Sequence, residues 1–339
     1  MLNNSIEHLL PIYIDDELAQ IRSPFYLRRL DYFGKRFYYT VDEFLNVTFY
    51  LSTTTFIKSV LPENKFLTDW RINVAVLKGS KELADEYVDD TATYGTIMHV
   101  CIGEIVKNNK FNWSELEEIV NSYTEKIDVY TLRVWKRDLQ KDLLSFCQWV
   151  SEYHVKVLAV EFPIVNPDEN NPIATSLDLV VEMDKEVSGF FGEVYKSGDK
   201  KGLPKESKEI TRVRAIVDFK SGRKGFFDSH ELQLELSKVM WNSYFSDTPY
   251  EVGHIYNWSP KDWTGETPTY NLKDQSNSIF KGNSELFFKL GNVYNVFNFT
   301  RFNIDANIEF ELGCDANFIK KSIHESIREY EHAKRENQE

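Results

Sequence analysis

The chain has 339 residues, 42% hydrophobic and 27% charged, which is enough apolar sequence for one large domain with extensions or for two domains. Its formal net charge of −13 argues against a protein that coats nucleic acid through Lys and Arg, although a local groove built around bound metal stays compatible with it. The three cysteines Cys101, Cys147 and Cys314 form no C-x-x-C pair, which argues against a disulfide framework, a zinc ribbon and an iron–sulfur cluster.

The N-terminal third mixes strand and helix signals. We expect a helical or irregular lead over residues 1–33 and then a β-hairpin over 35–50, rich in β-branched and aromatic residues. Ser52 begins a Ser/Thr run that is typical of a helix cap, and it predicts a short helix that ends before Pro62. Two or three helices follow over 65–107, and apolar residues at helical spacing extend from 113 to 155.

After residue 155 the apolar period changes from helix to strand. Residues 157–165, 176–182 and 212–219 predict three strands, residues 229–243 an amphipathic helix, and residues 250–258 a fourth strand. Residues 259–312 predict turns and short strands, and 318–335 a charged final helix. We therefore predict an α/β fold with a mixed sheet whose central order is helix, three strands, helix, strand.

A basic segment separates the second and third of these strands. Residues 196–214 carry seven basic and three acidic side chains with Gly and Ser between them. Such a run is usually a solvated hairpin tip, and the alternative is a flap that contacts phosphates.

Acidic residues interrupt two of the apolar strands. Side chains alternate along a strand, so Asp218 and Lys220 share one side while Phe219 points to the other. Alone, that pair is most often an ion pair at a sheet edge. Asp178 lies inside a second apolar strand, where a carboxylate is costly unless it is paired or bound to metal. These residues suit metal-dependent phosphodiester hydrolysis, because two strand carboxylates can bridge a metal ion and a lysine can position or deprotonate water.

Four segments in chain order resemble a known family. They are Gly95-Thr-Ile-Met-His99, Leu177-Asp178-Leu179-Val180, Asp218-Phe219-Lys220-Ser221-Gly222 and Leu232-Gln233-Leu234. Together they resemble the G-x-x-x-H helix, the first acidic strand, the D-x-K strand and the Gln-containing helix of the PD-(D/E)XK nuclease superfamily, most closely its RecB-like and phage exonuclease branch. Thr175 and Ser237 depart from the glycine and tyrosine frequent in that branch.

The resemblance implies a role for each matching residue. Metal ligands would be His99, Asp178, Asp218 and Glu161, and the catalytic set would be Asp178, Asp218, Lys220 and Gln233. Substrate contacts are expected at Ser52, Thr53 and Lys224. The implied cofactor is Mg²⁺ or Mn²⁺, with no iron–sulfur cluster and no nucleotide, since no complete phosphate-binding loop is present.

The resemblance also implies an organisation and a function. Residues 91–260 would form a restriction-endonuclease-like PD-(D/E)XK core, preceded by a hairpin and helical extension over 1–90 and followed by a β/helix extension over 261–339. The expected protein is a DNA exonuclease that acts in replication or recombination, and a phage genome is one expected source of it. The alternatives are an inactive nuclease-fold DNA-binding or structural module and a structure-specific endonuclease.

Partners and location follow from the same expectation. DNA ends or single strands would be the substrate, and further copies of the chain or a recombination or replication protein would be the partner. The sequence shows no signal peptide pattern and no run approaching 18 apolar residues. We therefore expect no membrane partner and a cytoplasmic location, in the host cytoplasm if the protein is phage-encoded.

Overall fold

The computed structural model describes residues 7–9, 11–32, 35–42, 47–62, 65–123, 127–222, 225–294 and 296. Three sequence features therefore lie outside the described residues: Lys224, Cys314 and the charged helix expected over 318–335.

One mixed sheet runs through the part of the chain that the structure describes. It contains ten strands there: β1 (Glu7–Leu9), β2 (Tyr13–Ile14), β3 (Leu27–Tyr32), β4 (Lys35–Val41), β5 (Val47–Ser52), β6 (Lys156–Val165), β7 (Ile173–Gly189), β8 (Ser207–Phe219), β9 (His254–Pro260) and β10 (Tyr270–Asp274). Their order is β1-β3-β4-β5-β7-β8-β9-β10, with β6 on the other edge of β7 and β2 beside β6. The β5–β7 and β8–β9 pairs are parallel and the other pairs are antiparallel.

Helices cover both faces of this sheet. They are α1 (Asp16–Ile21), α2 (Thr53–Val60), α3 (Lys65–Lys78), α4 (Lys81–Asn108), α5 (Trp113–Tyr123), α6 (Val129–Glu152), α7 (Asp228–Tyr244) and α8 (Ser284–Val293). Apolar side chains of α4, α5 and α6 pack on one face, and those of α1, α2, α7 and α8 pack on the other. Within the described residues, no helix combines the length and the apolar character needed to cross a membrane.

The predicted α/β class and the central element order are confirmed. The structure runs α6, β6, β7, β8, α7 and β9 in that sequence. The strand alternation also holds, because Ala215, Val217 and Phe219 pack on the α6 side while Ile216 packs on the α7 side. The prediction for residues 1–33 was wrong in part. This lead contains three strands besides one helix, and these strands form because β4 and β6 supply their hydrogen-bond partners.

The basic segment divides between a turn region and the first part of β8, and its tip lies far from the acidic strand positions. Residues 207–214 belong to β8 and pair with β7 up to Gly189↔Ser207. That tip lies about ten residues from the Leu179↔Val217 pair, which is roughly 33 Å along the hairpin. A flap at this tip would therefore extend away from Asp178 and could not cover a phosphate bound there.

Candidate metal centre

The site begins where β7 changes partners along one edge. β5 pairs with β7 only at Leu51↔Ile173 and Ser52↔Ala174, and the pairing with β8 ends at Leu179↔Val217. Asp178 lies in the gap between them. Its Oδ2 accepts a hydrogen bond from the backbone N–H of Phe219 at 2.7 Å, so the carboxylate substitutes for a strand carbonyl. This anchor holds Asp178 at the open end of the strand pair.

Glu161 belongs to β6 and lies directly opposite Asp178, along the edge of β7 that faces away from β8. The flanking pairs Val160↔Leu179 and Phe162↔Leu177 are regular, and Glu161 between them has a φ of 52°. A left-handed backbone is uncommon for a residue other than glycine, and such strain is typical of functional positions. The carboxylate Oε2 accepts from Ser176 Oγ at 2.8 Å, which fixes its orientation.

His99 reaches this pair of carboxylates from α4. Its Nδ1 lies 3.0 Å from Glu161 Oε1 and 3.8 Å from Asp178 Oδ1. Gly95, one turn earlier, allows the close approach, since a Cβ there would lie 3.3 Å from Ser221 Oγ. The His99 ring also packs edge-on against Phe219 with centroids 5.7 Å apart. As a result, one ligand atom each from His99, Glu161 and Asp178 lie within 4.8 Å of one another.

Asp218 and Lys220 form the second half of the site. Asp218 is only 4% exposed, and its Oδ1 accepts from Lys220 Nζ at 2.8 Å and from Gln233 Nε2 at 3.1 Å. Its Oδ2 accepts from Asn257 Nδ2 at 2.8 Å. Both oxygens are thus hydrogen-bonded inside the protein. In this arrangement Asp218 holds Lys220. Of the four expected metal ligands, His99, Glu161 and Asp178 form the three-residue cluster, and Asp218 is not part of it.

The charges of the site shift the ionisation of its members. Burial alone would lower the pKa of His99, but the carboxylates of Asp178 and Glu161 raise it to about 9. Burial raises the pKa of Asp178 to about 7, against the attraction of His99 and with the help of the Asp218 and Glu161 charges. The pKa of Lys220 is raised despite burial because Asp218 and Asp178 lie beside it. Lys220 is therefore cationic at neutral pH.

We expect the His99 imidazole to titrate near pH 9 when the protein is kept in chelator. The two carboxylates stabilise the imidazolium, so Glu161→Gln should lower this pKa toward the ordinary value of 6.5. NMR titration of the ring resonances measures it. His230 serves as an internal control, because burial, with help from the Lys220 charge, lowers its pKa to about 4 independently of Glu161.

The raised pKa of His99 also makes the stability of the fold depend on pH. Folding raises the pKa of His99 above its unfolded value, so the imidazolium stabilises the chelated protein below about pH 6.5. This contribution disappears as the pH rises through 9. An unshifted His99 midpoint in the titration would contradict the described geometry.

Two expected substrate contacts are buried in the fold instead. Ser52 is 2% exposed, and its Oγ accepts from the Thr55 N–H at 3.1 Å and donates to Thr55 Oγ1 at 2.9 Å. Thr53 is also buried, and its hydroxyl donates to the Ala174 carbonyl at 3.2 Å. These bonds cap α2 and tie it to β7. The geometry therefore argues against a direct role of either residue in binding substrate.

Ser52→Ala is expected to lower the free energy of unfolding by about 1 kcal/mol without changing activity, because it removes the N-cap of α2. Urea unfolding measures the loss. Thr54→Ala is the matched control, since Thr54 is exposed on the same helix and should change stability little. A large change in substrate affinity with unchanged stability would restore Ser52 to the binding site.

Several contributing residues have no counterpart in the sequence prediction. Asn257 is fully buried in β9 and fixes Asp218, and Ser176 fixes Glu161. A polar residue between the aromatic Tyr256 and Trp258 of β9 was the available signal for Asn257. Ser237, where the resembled branch often has tyrosine, is buried and donates to the Gln233 carbonyl at 2.8 Å.

A scan against protein-family models and a search of curated proteins each found no match to this chain. The metal preference of the site therefore has to follow from the ligand atoms that it offers. Two carboxylates and an imidazole suit Mn²⁺ and, with added water, Mg²⁺. A partly buried ion pair supplies a fixed ammonium beside them.

Proposed function

We propose that this protein is a divalent-metal-dependent nuclease that hydrolyses phosphodiester bonds in DNA, and that residues 91–260 form a PD-(D/E)XK core of the RecB-like and phage exonuclease type. The observation that carries the proposal is the cluster of His99, Glu161 and Asp178, whose ligand atoms lie within 4.8 Å of one another. The neighbouring Lys220–Asp218 pair supports it, because it places a cation at the end of the adjacent strand.

His99, Glu161 and Asp178 would hold the ion. When bound, a divalent ion neutralises phosphate charge and makes water nucleophilic at neutral pH. The protein fixes these ligands before any ion arrives: Phe219 N–H orients Asp178, and Ser176 orients Glu161. Outer hydrogen bonds of this kind set ligand orientation and metal affinity.

Lys220 supplies the positive charge that the proposed reaction needs outside the metal. Its Nζ is held 2.8 Å from Asp218 Oδ1, and Gln233 and Asn257 keep that carboxylate from rotating. An ammonium fixed in a partly buried site stabilises charge on a phosphate more than a mobile one in water does. Asp218 and Gln233 therefore act as positioning residues for Lys220.

End-labelled linear, nicked and covalently closed circular DNA test the activity in Mg²⁺, Mn²⁺ and chelator. An exonuclease would degrade linear DNA only with metal and leave the closed circle intact. Cutting of the circle would favour the endonuclease alternative. DNA binding without cleavage in either metal would favour the inactive module, and the absence of both binding and cleavage would contradict the proposal.

A further inference from the structure

A cavity of about 370 Å³ lies outside the metal centre, between α6 and the turn that connects β9 with β10. Its wall combines one aromatic ring with cationic side chains: Trp263, Arg137, Lys141 and Lys261. An aromatic platform beside cations is the combination by which proteins bind single-stranded nucleic acid.

The turn emerges at the same end of the sheet as Lys220. β8 and β9 are parallel, and the Lys220 N–H donates to the Trp258 carbonyl at 2.9 Å, so residues 261–269 follow immediately beyond that point. The β9–β10 turn therefore flanks the candidate site. The basic tip of the β7–β8 hairpin, in contrast, lies at the opposite end.

Ring contacts connect the cavity to the metal centre. His99 touches Phe219 at 5.7 Å between centroids, and Phe219 touches Phe146 on α6 at 5.8 Å. Ser145, next to Phe146, accepts a hydrogen bond from Trp263 Nε1. A short series of side-chain contacts therefore separates the cavity from the cluster.

Trp263 is held in one orientation before any ligand binds. Its indole N–H donates to Ser145 Oγ at 3.2 Å. Lys141 Nζ donates to the Trp263 carbonyl at 3.3 Å and lies 5.3 Å from the ring centroid. A ring fixed in this way loses little conformational entropy when a base stacks on it.

Acidic side chains share the wall. Asp142 is 1% exposed and accepts from the Tyr94 hydroxyl at 2.7 Å. Asp138 pairs with Arg137 at 3.0 Å, but the Arg137 side chain is 67% exposed. Exposed pairs of this kind are weak, so Arg137 can exchange its partner for a phosphate. Asp262 stands on the turn itself.

We propose that this cavity binds the DNA strand a few nucleotides from the scissile bond, with one base stacked on Trp263 and phosphates bound by Arg137 and Lys261. The inference rests on the proposed function, since it names how that site would receive its substrate. Lys141 then positions Trp263.

Fluorescence anisotropy with a 12-nucleotide single-stranded DNA in chelator tests the inference. Trp263→Ala should raise Kd about 10- to 100-fold, the usual loss for one stacked base, and Trp263→Phe should recover most of it. The double change Arg137→Ala with Lys261→Ala should reduce the salt slope of log Kd by about 1.4, at 0.7 per phosphate contact on a single strand. Trp70→Ala, a partly buried tryptophan on α3, is the matched control.

The outcomes separate this inference from the proposed function. Equal affinities of wild type, Trp263→Ala and Trp263→Phe would overturn it, as would failure of the wild type to bind the strand. If the wild type cleaves DNA while Trp263→Ala keeps its KM and Kd, the strand site fails and the nuclease stands. If affinity falls in Trp263→Ala but no variant cleaves, the strand site stands and the nuclease fails. Circular dichroism and urea midpoints check that each variant is folded.

Discussion

Asp178→Asn is expected to lower metal-dependent DNA cleavage by at least about 1,000-fold, which corresponds to about 4 kcal/mol of lost transition-state stabilisation. The variant should stay folded, because an asparagine oxygen can still accept the Phe219 N–H that Asp178 holds at 2.7 Å. The variant loses the negative charge that Asp178 contributes to the cluster with Glu161 and His99. We therefore expect it to lose much of its affinity for a divalent ion.

Asp184→Asn is the matched control for this change. Asp184 lies on the same strand, six residues along, and pairs with His154 and Arg212 away from the cluster. Single-turnover cleavage of linear DNA at saturating Mn²⁺, with calorimetric titration of Mn²⁺, compares the two variants. Full activity and unchanged Mn²⁺ affinity of the Asp178 variant would remove Asp178 from the centre.

Lys220→Met should reduce the cleavage rate by about 100- to 1,000-fold, the usual loss when one charge-stabilising donor is removed. Methionine keeps the apolar stem but not the ammonium that Asp218 holds at 2.8 Å. Asp218 retains its bonds to Gln233 and Asn257, so the fold should persist. Lys220→Arg keeps the charge and should lose less activity, although its larger head group changes the geometry.

Lys208→Met controls for the loss of a lysine from the same strand. Lys208 is exposed near the far end of β8 and pairs with Glu186. The informative comparison is the rate of the chemical step against the Kd for DNA, measured in chelator. A Lys220→Met protein that cleaves at the wild-type rate and only binds DNA more weakly would make Lys220 a phosphate-binding residue instead.

The central fold was predictable because its elements are long and strongly periodic. The helical spacing over 113–155 and the apolar runs around Asp178 and Asp218 specify α6, β7 and β8 by local pattern. The lead over 1–33 was not predictable in the same way. β1 and β2 contain three and two residues, and they are strands only because distant β3 and β6 pair with them.

The candidate site was predictable where polar residues interrupt or directly follow apolar strands, as at Asp178, Asp218 and Lys220. Which of these residues come together in one cluster depends on how the strands pair. Glu161 was expected as a ligand from the family resemblance and not from a local pattern, and it faces Asp178 because β6 and β7 pair as Val160↔Leu179 and Phe162↔Leu177. Ser52 illustrates the reverse case, since the Ser/Thr run that suggested substrate contact is also a helix cap, and the structure uses it as one.

Charge clusters in the sequence were a poor guide to the proposed path of the substrate. The basic run over 196–214 is prominent in sequence, but hairpin pairing carries its tip about 33 Å from the pair beside Asp178. The Trp263 cavity draws its cations from α6 and from a turn more than 100 residues later, so only the tertiary structure assembles it.

Cleavage of end-labelled linear DNA as a function of Mn²⁺ concentration, in wild type and Glu161→Gln, tests the metal centre most directly. We expect no cleavage in chelator, a saturable rise with Mn²⁺ in the wild type, and a midpoint at least about 10-fold higher in Glu161→Gln, because one charged ligand is lost. Cleavage that persists in chelator, or a midpoint that Glu161→Gln leaves unchanged, would contradict a divalent ion bound by His99, Glu161 and Asp178.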